Sequence, residues 1–378
     1  MHPLIRLESC ARRTPGPSPF AGLWPIDGQT HEPCPARPTR STTMTKSPVI
    51  AAIDAGCGFT KFSKLRPGQH ADIEVFPSLT DIVFHDSRCS RLRAPRRNAL
   101  IPFGTHLVEV GPDIEAALGD AIYHSQAEGF AATDDYRACV AGALAFIEEP
   151  FIDMLVLTVP MRERDALEPQ IRDWLSRPLH TAANASVTVA RVEVLAQAAA
   201  SAIEWFDSPE LDETQVSLVL VAGFGSLDWA LYRGRDLEPL AGGTEYHGVA
   251  NLLRTVDDRI GQGAPSGDVR LDAVDQALRH GKSLRACGQL HDLQLHWPWI
   301  HGRARRMLGG IAQALIELPT PQTVWLAGGG AAYFLQAAEG LFHRQAVHVA
   351  AEPMHACVRG MCLYGKRRLM AELDALRA

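Results

Sequence analysis

Residues 49–65 have the sequence VIAAIDAGCGFTKFSKL. The first six are an apolar run of strand length, and after a glycine-containing turn the letters FTKFSKL alternate between apolar and polar residues. An apolar run, a glycine turn and an alternating return strand are typical of a β-hairpin. The stretch therefore predicts a buried strand that ends at Asp54 and a partner strand that carries Thr60 and Lys61.

The turn of this hairpin has the chemistry of a phosphate-binding loop. Gly56 and Gly58 lack a Cβ atom, so their backbone N–H groups can approach phosphate oxygens closely. Thr60 and Lys61 add a hydroxyl group and a cation, and Asp54 is able to hold a hydrated Mg2+ ion, which prefers few carboxylates together with water and phosphate oxygens. The alternative is a plain hairpin turn with an aspartate cap. The chain contains neither a Walker loop nor the glycine pattern that opens a dinucleotide-binding helix.

Residues 216–232, VSLVLVAGFGSLDWALY, have the same design as the first hairpin. Around the two hairpins, helix-like segments alternate with strand-like ones, which favours α/β layers. The pair of hairpins predicts an internal structural duplication. The predicted helices lie near residues 112–124, 136–147, 163–175, 196–206, 248–260, 271–279 and 299–318, and further strands are predicted at 153–159, at 187–195 and at the start of 323–331.

The composition limits the possible functions. With 378 residues, of which 46% are hydrophobic and 21% charged, the chain can bury one large core or two packed domains. A net charge of −6 gives no reason to expect direct binding to nucleic acid. The sequence has no Cys-x-x-Cys pair and no apolar run of about 18 to 20 residues, so we expect neither a zinc knuckle nor a membrane span. Scattered cysteines and the lack of a signal-like apolar segment favour the cytoplasm.

The first 48 residues are rich in proline, arginine, serine and threonine and have no sustained apolar period. We expect them to form a disordered extension. Met44 stands just before the first strand, so a translation start at this residue is one alternative, and a targeting arm is another.

The pattern Asp-x-Gly-x-Gly-x-Thr-Lys after a strand resembles the first phosphate loop of the actin, Hsp70 and sugar-kinase superfamily, and in particular that of ParM/StbA-type plasmid-segregation proteins. Three more matches follow in the family's order. Gln197 falls where the family places a glutamine or glutamate on the helix that connects the two domains, residues 221–229 look like the second phosphate loop, and residues 326–331 look like the adenosine motif. Narrower matches at 76–78, around Gly104 and Gly111 and at 358–365 look like ParM-type elements, and together with the second loop they resemble protein D of the PRTRC plasmid-associated gene systems.

The resemblance implies an actin-like (ribonuclease H-like), two-domain α/β ATPase fold with the nucleotide in the interdomain cleft. It implies domain I at residues 49–200, domain II at 201–350 and, at 351–378, a C-terminal helix that returns to domain I. The implied cofactors are ATP and Mg2+, with Asp54 at the metal and Gln197 orienting the attacking water. The implied phosphate-binding residues are Gly56, Gly58, Thr60, Lys61, Gly223, Gly225, Ser226 and Asp228, and the implied adenosine-binding residues are Gly328, Gly329 and Gly330.

The function implied by the resemblance is nucleotide-dependent polymerisation with weak ATPase activity, in which a filament of this protein moves plasmid DNA through a DNA-binding adaptor. One position departs from the family, because Val221 replaces an acidic residue that helps to hold the water shell of the metal. Positioning of Mg2+ would then depend on Asp54 and Asp228, and hydrolysis is expected to be slow or absent. A non-hydrolysing, nucleotide-dependent scaffold is therefore one alternative. A small-molecule kinase of the same superfamily is another, although no acid with a suitable context for its catalytic base is found.

Two further features have open interpretations. Cys57, inside the first turn, is either a reactive thiol or a small filler residue. A run of arginines within residues 88–97 forms either a solvated loop or a contact surface for a filament, an adaptor or nucleic acid. The arginines of this run are Arg88, Arg91, Arg93, Arg96 and Arg97.

Overall fold

A computed structural model describes residues 47–66, 68–83, 96–119, 124, 127–207, 211–260, 270–286 and 288–375 of the 378-residue chain. The predicted disordered extension lies outside the described residues except for its last two positions. Within the described part, no helix combines the length and the apolar character that crossing a lipid bilayer requires.

Eighteen strands and nine helices are defined in this part of the chain. The strands are β1 (Ile50–Ala55), β2 (Phe59–Leu65), β3 (Asp72–Pro77), β4 (Asp81–Val83), β5 (Ala99–Phe103), β6 (His106–Val110), β7 (Phe151–Ile152), β8 (Met154–Val159), β9 (Leu179–Ala182), β10 (Ala185–Val189), β11 (Val192–Ala196), β12 (Val216–Ala222), β13 (Leu227–Arg233), β14 (Ala241–Glu245), β15 (Ser283–Ala286), β16 (Gln289–Asp292), β17 (Thr323–Ala327) and β18 (Ala346–Val349). The helices are α1 (Ile114–Leu118), α2 (Asp134–Ile147), α3 (Arg164–Trp174), α4 (Gln197–Phe206), α5 (Val249–Ile260), α6 (Leu271–Arg279), α7 (Trp297–Ala314), α8 (Ala331–Leu341) and α9 (Ala356–Ala375).

Two five-stranded sheets have the same topology. The first sheet has the order β11-β8-β1-β2-β3 and the second the order β14-β13-β12-β17-β18. In each sheet, the first three strands along the chain form an antiparallel meander and two later strands add in parallel to the free side of the first strand. The duplication predicted from the two hairpins is confirmed.

The duplication extends to single residues of the two hairpins. Asp54 pairs with Lys61 across the first hairpin, and Val221 pairs with Asp228 at the equivalent place in the second. Four residues form each turn, 56–59 in the first and 223–226 in the second, and in each the first N–H donates to the carbonyl of the fourth. The sequences DAGCGFTK and VAGFGSLD thus align without a gap and share Ala-Gly-x-Gly. The repeat is hidden in the sequence because only the turn residues are shared.

The helices form three layers around the two sheets. Helices α2 and α3 pack on the outer face of the first sheet, and α5, α6, α7 and α8 cover the outer face of the second. Helices α4 and α9 form the central layer, whose apolar side chains belong to one core together with residues of both sheets. Because successive strand residues point to opposite faces, Asp54 shares the central-layer face with Ala52, and Ala55 faces the outer core.

Most of the predicted elements are observed within a few residues, and two need correction. The single strand predicted at 187–195 is two strands, β10 and β11, because the chain leaves one sheet and enters another at Ala190 and Arg191. The helix predicted at 112–124 is described only from Ile114 to Leu118. Two three-stranded sheets, β4-β6-β5 and β7-β10-β9, were not predicted, because their strands are short.

Helices α4 and α9 approach each other closely at Gly360 of α9. An added Cβ atom there would overlap the carbonyl oxygen of Ala200 in α4. Gly365, one turn further, likewise lies against β1, where its Cβ would come within 2.7 Å of Ile50 Cγ2. Glycine at these two positions lets α9 pack tightly between α4 and the first sheet.

We expect Gly360→Ala to lower the free energy of unfolding by about 2 kcal/mol or more, because the new methyl group can be accommodated only if α9 moves away from α4. Chemical denaturation of the full chain measures this loss. Gly302→Ala in α7 is the matched control, since no described atom lies within 4 Å of its added Cβ. The control is expected to be neutral or to gain up to about 1 kcal/mol from helix propensity. Equal effects of the two substitutions would contradict the packing account.

Candidate functional site

A buried carboxylate, Asp54, lies at the end of β1 with its two oxygens fully engaged. Lys61 Nζ donates to Oδ2 at 2.7 Å, while Oδ1 accepts from Thr158 Oγ1 at 2.7 Å and from Gln197 Nε2 at 3.0 Å. Its three partners come from β2, from the end of β8 and from the first position of α4. The carboxylate therefore ties three strands of the first sheet to the start of the central layer.

The charges of this cluster stabilise one another. Burial raises the pKa of Asp54, but the Lys61 charge and the hydrogen bonds outweigh it and hold this pKa below its usual range. Burial lowers the pKa of Lys61, and the adjacent carboxylate outweighs that effect and raises it. Both groups are thus charged at neutral pH, as an ion pair at the edge of the first turn.

Two other residues predicted for the first phosphate loop have different surroundings. Gly56 lies beside the cluster, because a Cβ there would be 3.7 Å from Lys61 Nζ and 3.9 Å from Gln197 Nε2. Thr60 is fully buried, and its hydroxyl shares a 2.7 Å hydrogen bond with Ser78. Thr60 and Lys61 are neighbours on a strand and point to opposite faces. The structure therefore does not bring the Thr60 hydroxyl together with the Asp54 cluster.

Asp228, on the return strand of the second hairpin, connects the two sheets. Its Oδ1 accepts from the backbone N–H of Met161 at 2.8 Å and from Thr244 Oγ1 at 2.5 Å, and Ser226 Oγ donates to Oδ2 at 3.3 Å. Met161 follows β8 of the first sheet, whereas the other three residues belong to the second hairpin and its neighbour β14. This carboxylate is a structural bridge in which each oxygen already accepts hydrogen bonds.

The surroundings of Asp228 favour its neutral form more than those of Asp54. Burial raises the pKa of Asp228 to about 6; the hydrogen bonds from Thr244, Met161 and Ser226 oppose this rise, and the Asp54 charge adds to it. Val221, its cross-strand partner, is buried in the central core. The second hairpin thus places a valine where the first places Asp54.

The two turns touch each other through reciprocal contacts. A Cβ on Gly58 of the first turn would lie 2.5 Å from Phe224 Cβ of the second, and a Cβ on Gly225 would overlap Cys57 Sγ. Cys57 and Phe224 are equivalent residues of the two hairpins, as are Gly58 and Gly225, so the contacts obey the pseudo-twofold relation of the duplication. Burial raises the pKa of Cys57 to about 11. Its interpretation as a reactive thiol is wrong, and that as a small filler agrees with its packing.

The predicted adenosine motif packs against the end of β12. Gly328 has φ +88°, and a Cβ on it would collide with the backbone of Ala222, which directly precedes the second turn. A Cβ on Gly330 would overlap Val249 Cγ2 and lie 3.0 Å from the Ala222 carbonyl oxygen. Gly330 N–H donates to the Ala222 carbonyl at 2.8 Å. At Gly329 the nearest described atom to an added Cβ is Met354 Cγ at 3.7 Å, and the Gly329 carbonyl accepts from Arg279 Nη2 at 2.9 Å. The predicted adenosine motif thus lies beside the second turn, which itself contacts the first.

Several residues of this region were missed by the sequence analysis. Thr158 lies in the apolar strand MLVLTV. It is the one polar residue of that strand and stands near its carboxyl end, which was the available signal. Thr244 and Arg279 had no recognisable local pattern. For the arginine run, Arg96 forms a two-fold 2.8 Å hydrogen bond with the buried Glu109, so a freely solvated loop does not describe this residue. Arg88, Arg91 and Arg93 lie outside the described residues.

The side chains at the site can hold Mg2+ only if water and phosphate oxygens supply most of its ligands. Among the described residues no group of three or more His, Cys, Asp and Glu side chains is arranged to hold a metal ion. Asp54 is a single, buried, charged carboxylate, which suits an ion held mainly by water and phosphate oxygens rather than by a protein cage.

Comparisons with known proteins identify the fold. The family model for the N-terminal domain of actin-like proteins matches residues 52–199. No curated protein sequence matches the chain. The archaeal actin homologue Ta0583 superimposes with a TM-score of 0.70 at 17% identity, over 84% of this chain and 99% of that one, and it has also been solved in complex with ADP.

Two further solved structures share the fold. A ParM filament subunit from Clostridium botulinum gives a TM-score of 0.64 at 15% identity, over 85% of this chain and 100% of that one. The actin-like protein Alp7A gives 0.63 at 12% identity, over 87% and 98%. Identities this low establish the fold alone, and the predicted actin-like, two-domain α/β ATPase fold is confirmed.

We expect Asp228→Asn to be more stable relative to the wild type at pH 7 than at pH 4. The folded pKa of about 6 lies above the ordinary aspartate pKa of 3.8, so the folded protein binds this proton more tightly than the unfolded chain does, and wild-type stability falls as pH rises from about 4 to 6. At about 1.4 kcal/mol per pKa unit, the upper limit of this change is about 3 kcal/mol. Asparagine has the same shape, can accept from Met161 and Thr244, and can donate to Ser226.

Urea unfolding of both proteins across this pH range measures the effect. Asp165→Asn, at a carboxylate whose side chain is 95% exposed, is the control and should leave the pH dependence unchanged. A stability difference between wild type and Asp228→Asn that is constant with pH would contradict the argument.

Proposed function

We propose that the protein is an actin-like ATP-binding protein that holds ATP and Mg2+ between its two sheets and self-associates into filaments according to its nucleotide state. The observation that carries the proposal is the convergence of the Asp54–Lys61 pair, the two glycine turns and the Gly328–Gly330 segment at one place. A cation, two turns of glycine-rich backbone and a further glycine segment are complementary to a triphosphate and its nucleoside.

Lys61 and Asp54 have matched roles in this proposal. When a nucleotide enters, the Lys61 ammonium leaves the Asp54 carboxylate and pairs with a phosphate oxygen, which is also negatively charged. The carboxylate, still fixed by Thr158 and Gln197, is then free to hold the water shell of the ion. Mg2+ would supply neutralisation of phosphate charge there.

Gln197 is the residue that we propose orients the attacking water. It opens α4, and its amide lies within hydrogen-bond distance of Asp54, so its side chain is fixed at the edge of the phosphate site. A glutamine aligns water without removing its proton outright, which agrees with a weak ATPase. Gly56 and Ser226 adjoin the site from the two turns, with Gly58 and Gly225 shaping the contact between them.

The biological role that we propose is plasmid segregation in the cytoplasm, with a filament of the StbA/ParM type, such as the PRTRC component, acting through a DNA-binding adaptor. Support comes from the ParM filament subunit that shares this fold. In the proposed division, domain I spans residues 49–200, domain II spans 201–350, and the C-terminal segment 351–378 returns to domain I. Packing of α9 on β1, β2 and β8 agrees with that return.

A non-hydrolysing, nucleotide-dependent scaffold is a second candidate, favoured by one observation. Val221 is buried among apolar side chains, and the nearest carboxylate of the second hairpin, Asp228, is committed to its bridge with Met161 and Thr244. Asp54 is therefore the one charged carboxylate available to organise the metal from these two hairpins. Nucleotide binding and closure need no hydrolysis.

Purified full-length protein with ATP and Mg2+, followed for phosphate release and light scattering together, tests the proposal. We expect both signals in the wild type and neither in Asp54→Ala, because loss of a metal-organising group typically costs about 10- to 100-fold in metal affinity or activity. Gln197→Ala should retain ATP binding and scattering but release phosphate roughly 100-fold more slowly.

Each alternative has a distinct result. Tight ATP binding with neither signal would overturn the dynamic-filament proposal and support the scaffold. Absence of ATP binding in a protein that unfolds cooperatively would overturn both. Asp165→Asn serves again as a control for substitutions that only change charge.

A further inference from the structure

Phe224 occupies the contact between the two glycine turns. It stands between Gly223 and Gly225 in the second turn and packs against the outer core of the first sheet as well as that of the second. A half-buried phenyl ring that belongs to both cores is an unusual element of a turn that is otherwise made of glycine and serine.

The ring is held from the side of the first sheet by two partners. Gly58 leaves room for it, since an added Cβ would lie 2.5 Å from Phe224 Cβ and 2.7 Å from Cγ. The imidazole of His124, which precedes α2 in the chain, packs against the ring with centroids 4.6 Å apart. Phe224 thus connects the second hairpin to residues that precede α4 in the chain.

Polar contacts close the same side of the molecule. His124 Nε2 lies 3.2 Å from Asp272 Oδ1 in α6, and Arg270 donates to Glu115 of α1 at 3.0 Å. Both pairs join a residue that precedes α4 to one that follows the second hairpin. The first of them also fixes the imidazole that covers Phe224.

We propose that Phe224 is a nucleotide-controlled clasp: it joins the two turns in the closed protein, and a nucleotide must displace its ring in order to reach the backbone of Gly58. The inference rests on the proposed function for the identity of the ligand, a nucleoside triphosphate. The contact itself does not depend on a ligand.

The physical reason is the mismatch between the ring and a phosphate group. A phenyl ring offers no hydrogen-bond donor to phosphate oxygens, and while it covers Gly58 it keeps that residue's backbone from approaching them. The same ring gains apolar contact when the turns close, so it stabilises closure without a ligand. The equivalent residue of the first turn, Cys57, is smaller, and a Cβ added at Gly225 would meet the Cys57 Sγ atom and Ala127. The clasp is therefore asymmetric, and the second turn controls access.

The test uses Phe224→Gly, Gly58→Ala and the double variant in the full-length chain. Cys57 serves as the probe, because the residue is 8% exposed and its Sγ lies at the turn contact. Labelling by N-ethylmaleimide in the absence of nucleotide, read at the Cys57 peptide by mass spectrometry, reports separation of the turns. The association rate of a fluorescent ATP analogue reports access of nucleotide to the site.

We expect Phe224→Gly to increase both the labelling rate and the rate at which the ATP analogue binds by about tenfold or more, equivalent to about 1.4 kcal/mol of lost closure. Gly58→Ala should also increase labelling, because its methyl group collides with the ring. In the double variant the collision is gone, so adding Gly58→Ala to Phe224→Gly should change labelling little. Phe151→Gly, at a 48% exposed phenylalanine of β7, is the control and should match the wild type.

The outcomes separate the two proposals. Unchanged Cys57 labelling in Phe224→Gly would overturn the clasp, as would additive effects of the two substitutions. Faster labelling with an unchanged association rate of the ATP analogue would overturn control of nucleotide access. Faster labelling in proteins that bind no nucleotide at all would support the clasp as a contact between the turns and overturn the proposed function instead.

Discussion

The buried charge of Asp54 is the constraint on which the arrangement of the site depends. A carboxylate removed from water is costly unless a cation and hydrogen-bond donors replace the lost solvation. Here the replacements come from β2, β8 and α4, so the end of β1 fixes the hairpin, its parallel neighbour and the connecting helix relative to one another. The same requirement explains why Lys61 is charged while buried. The cluster is therefore complete within the fold, with both charges paired.

The central layer carries this local arrangement to the rest of the molecule. Helix α4 begins at Gln197, beside the carboxylate, and its other residues pack in one core with both sheets and with α9. Close packing at Gly360 leaves little freedom for α9 to slide along α4. Any change at the Asp54 cluster therefore occurs next to α4, the helix that packs against both sheets. This continuity is the physical basis on which occupancy of the site and the relative placement of the sheets can influence each other.

The hairpins were predictable because their signals are local. An apolar run, glycines in a turn and an alternating strand fit within 17 residues, and the order of the four motifs indicated the actin-like fold. Thr158 and Thr244 were not predictable, because single polar residues in strands acquire meaning only when the sheets bring them to Asp54 and Asp228. The direction of Thr60 was missed for a related reason. Adjacent strand residues face opposite sides, and only the register with Asp54 shows that Lys61, rather than Thr60, faces the cluster.

The difference between the two hairpins is informative because their backbones are equivalent. The cross-strand pair is Asp54–Lys61 in the first and Val221–Asp228 in the second, so the second hairpin has lost the cation and carries its carboxylate on the opposite strand. That carboxylate has no positive partner among the groups that bond it, only hydroxyl and amide donors, which explains why burial raises its pKa. The first hairpin is thus built to keep a charge that a ligand can use, and the second to hold the sheets together. An enzyme that hydrolyses ATP with this fold would have to obtain its metal geometry from the first hairpin alone, whereas a protein that only closes around ATP needs both hairpins as they are.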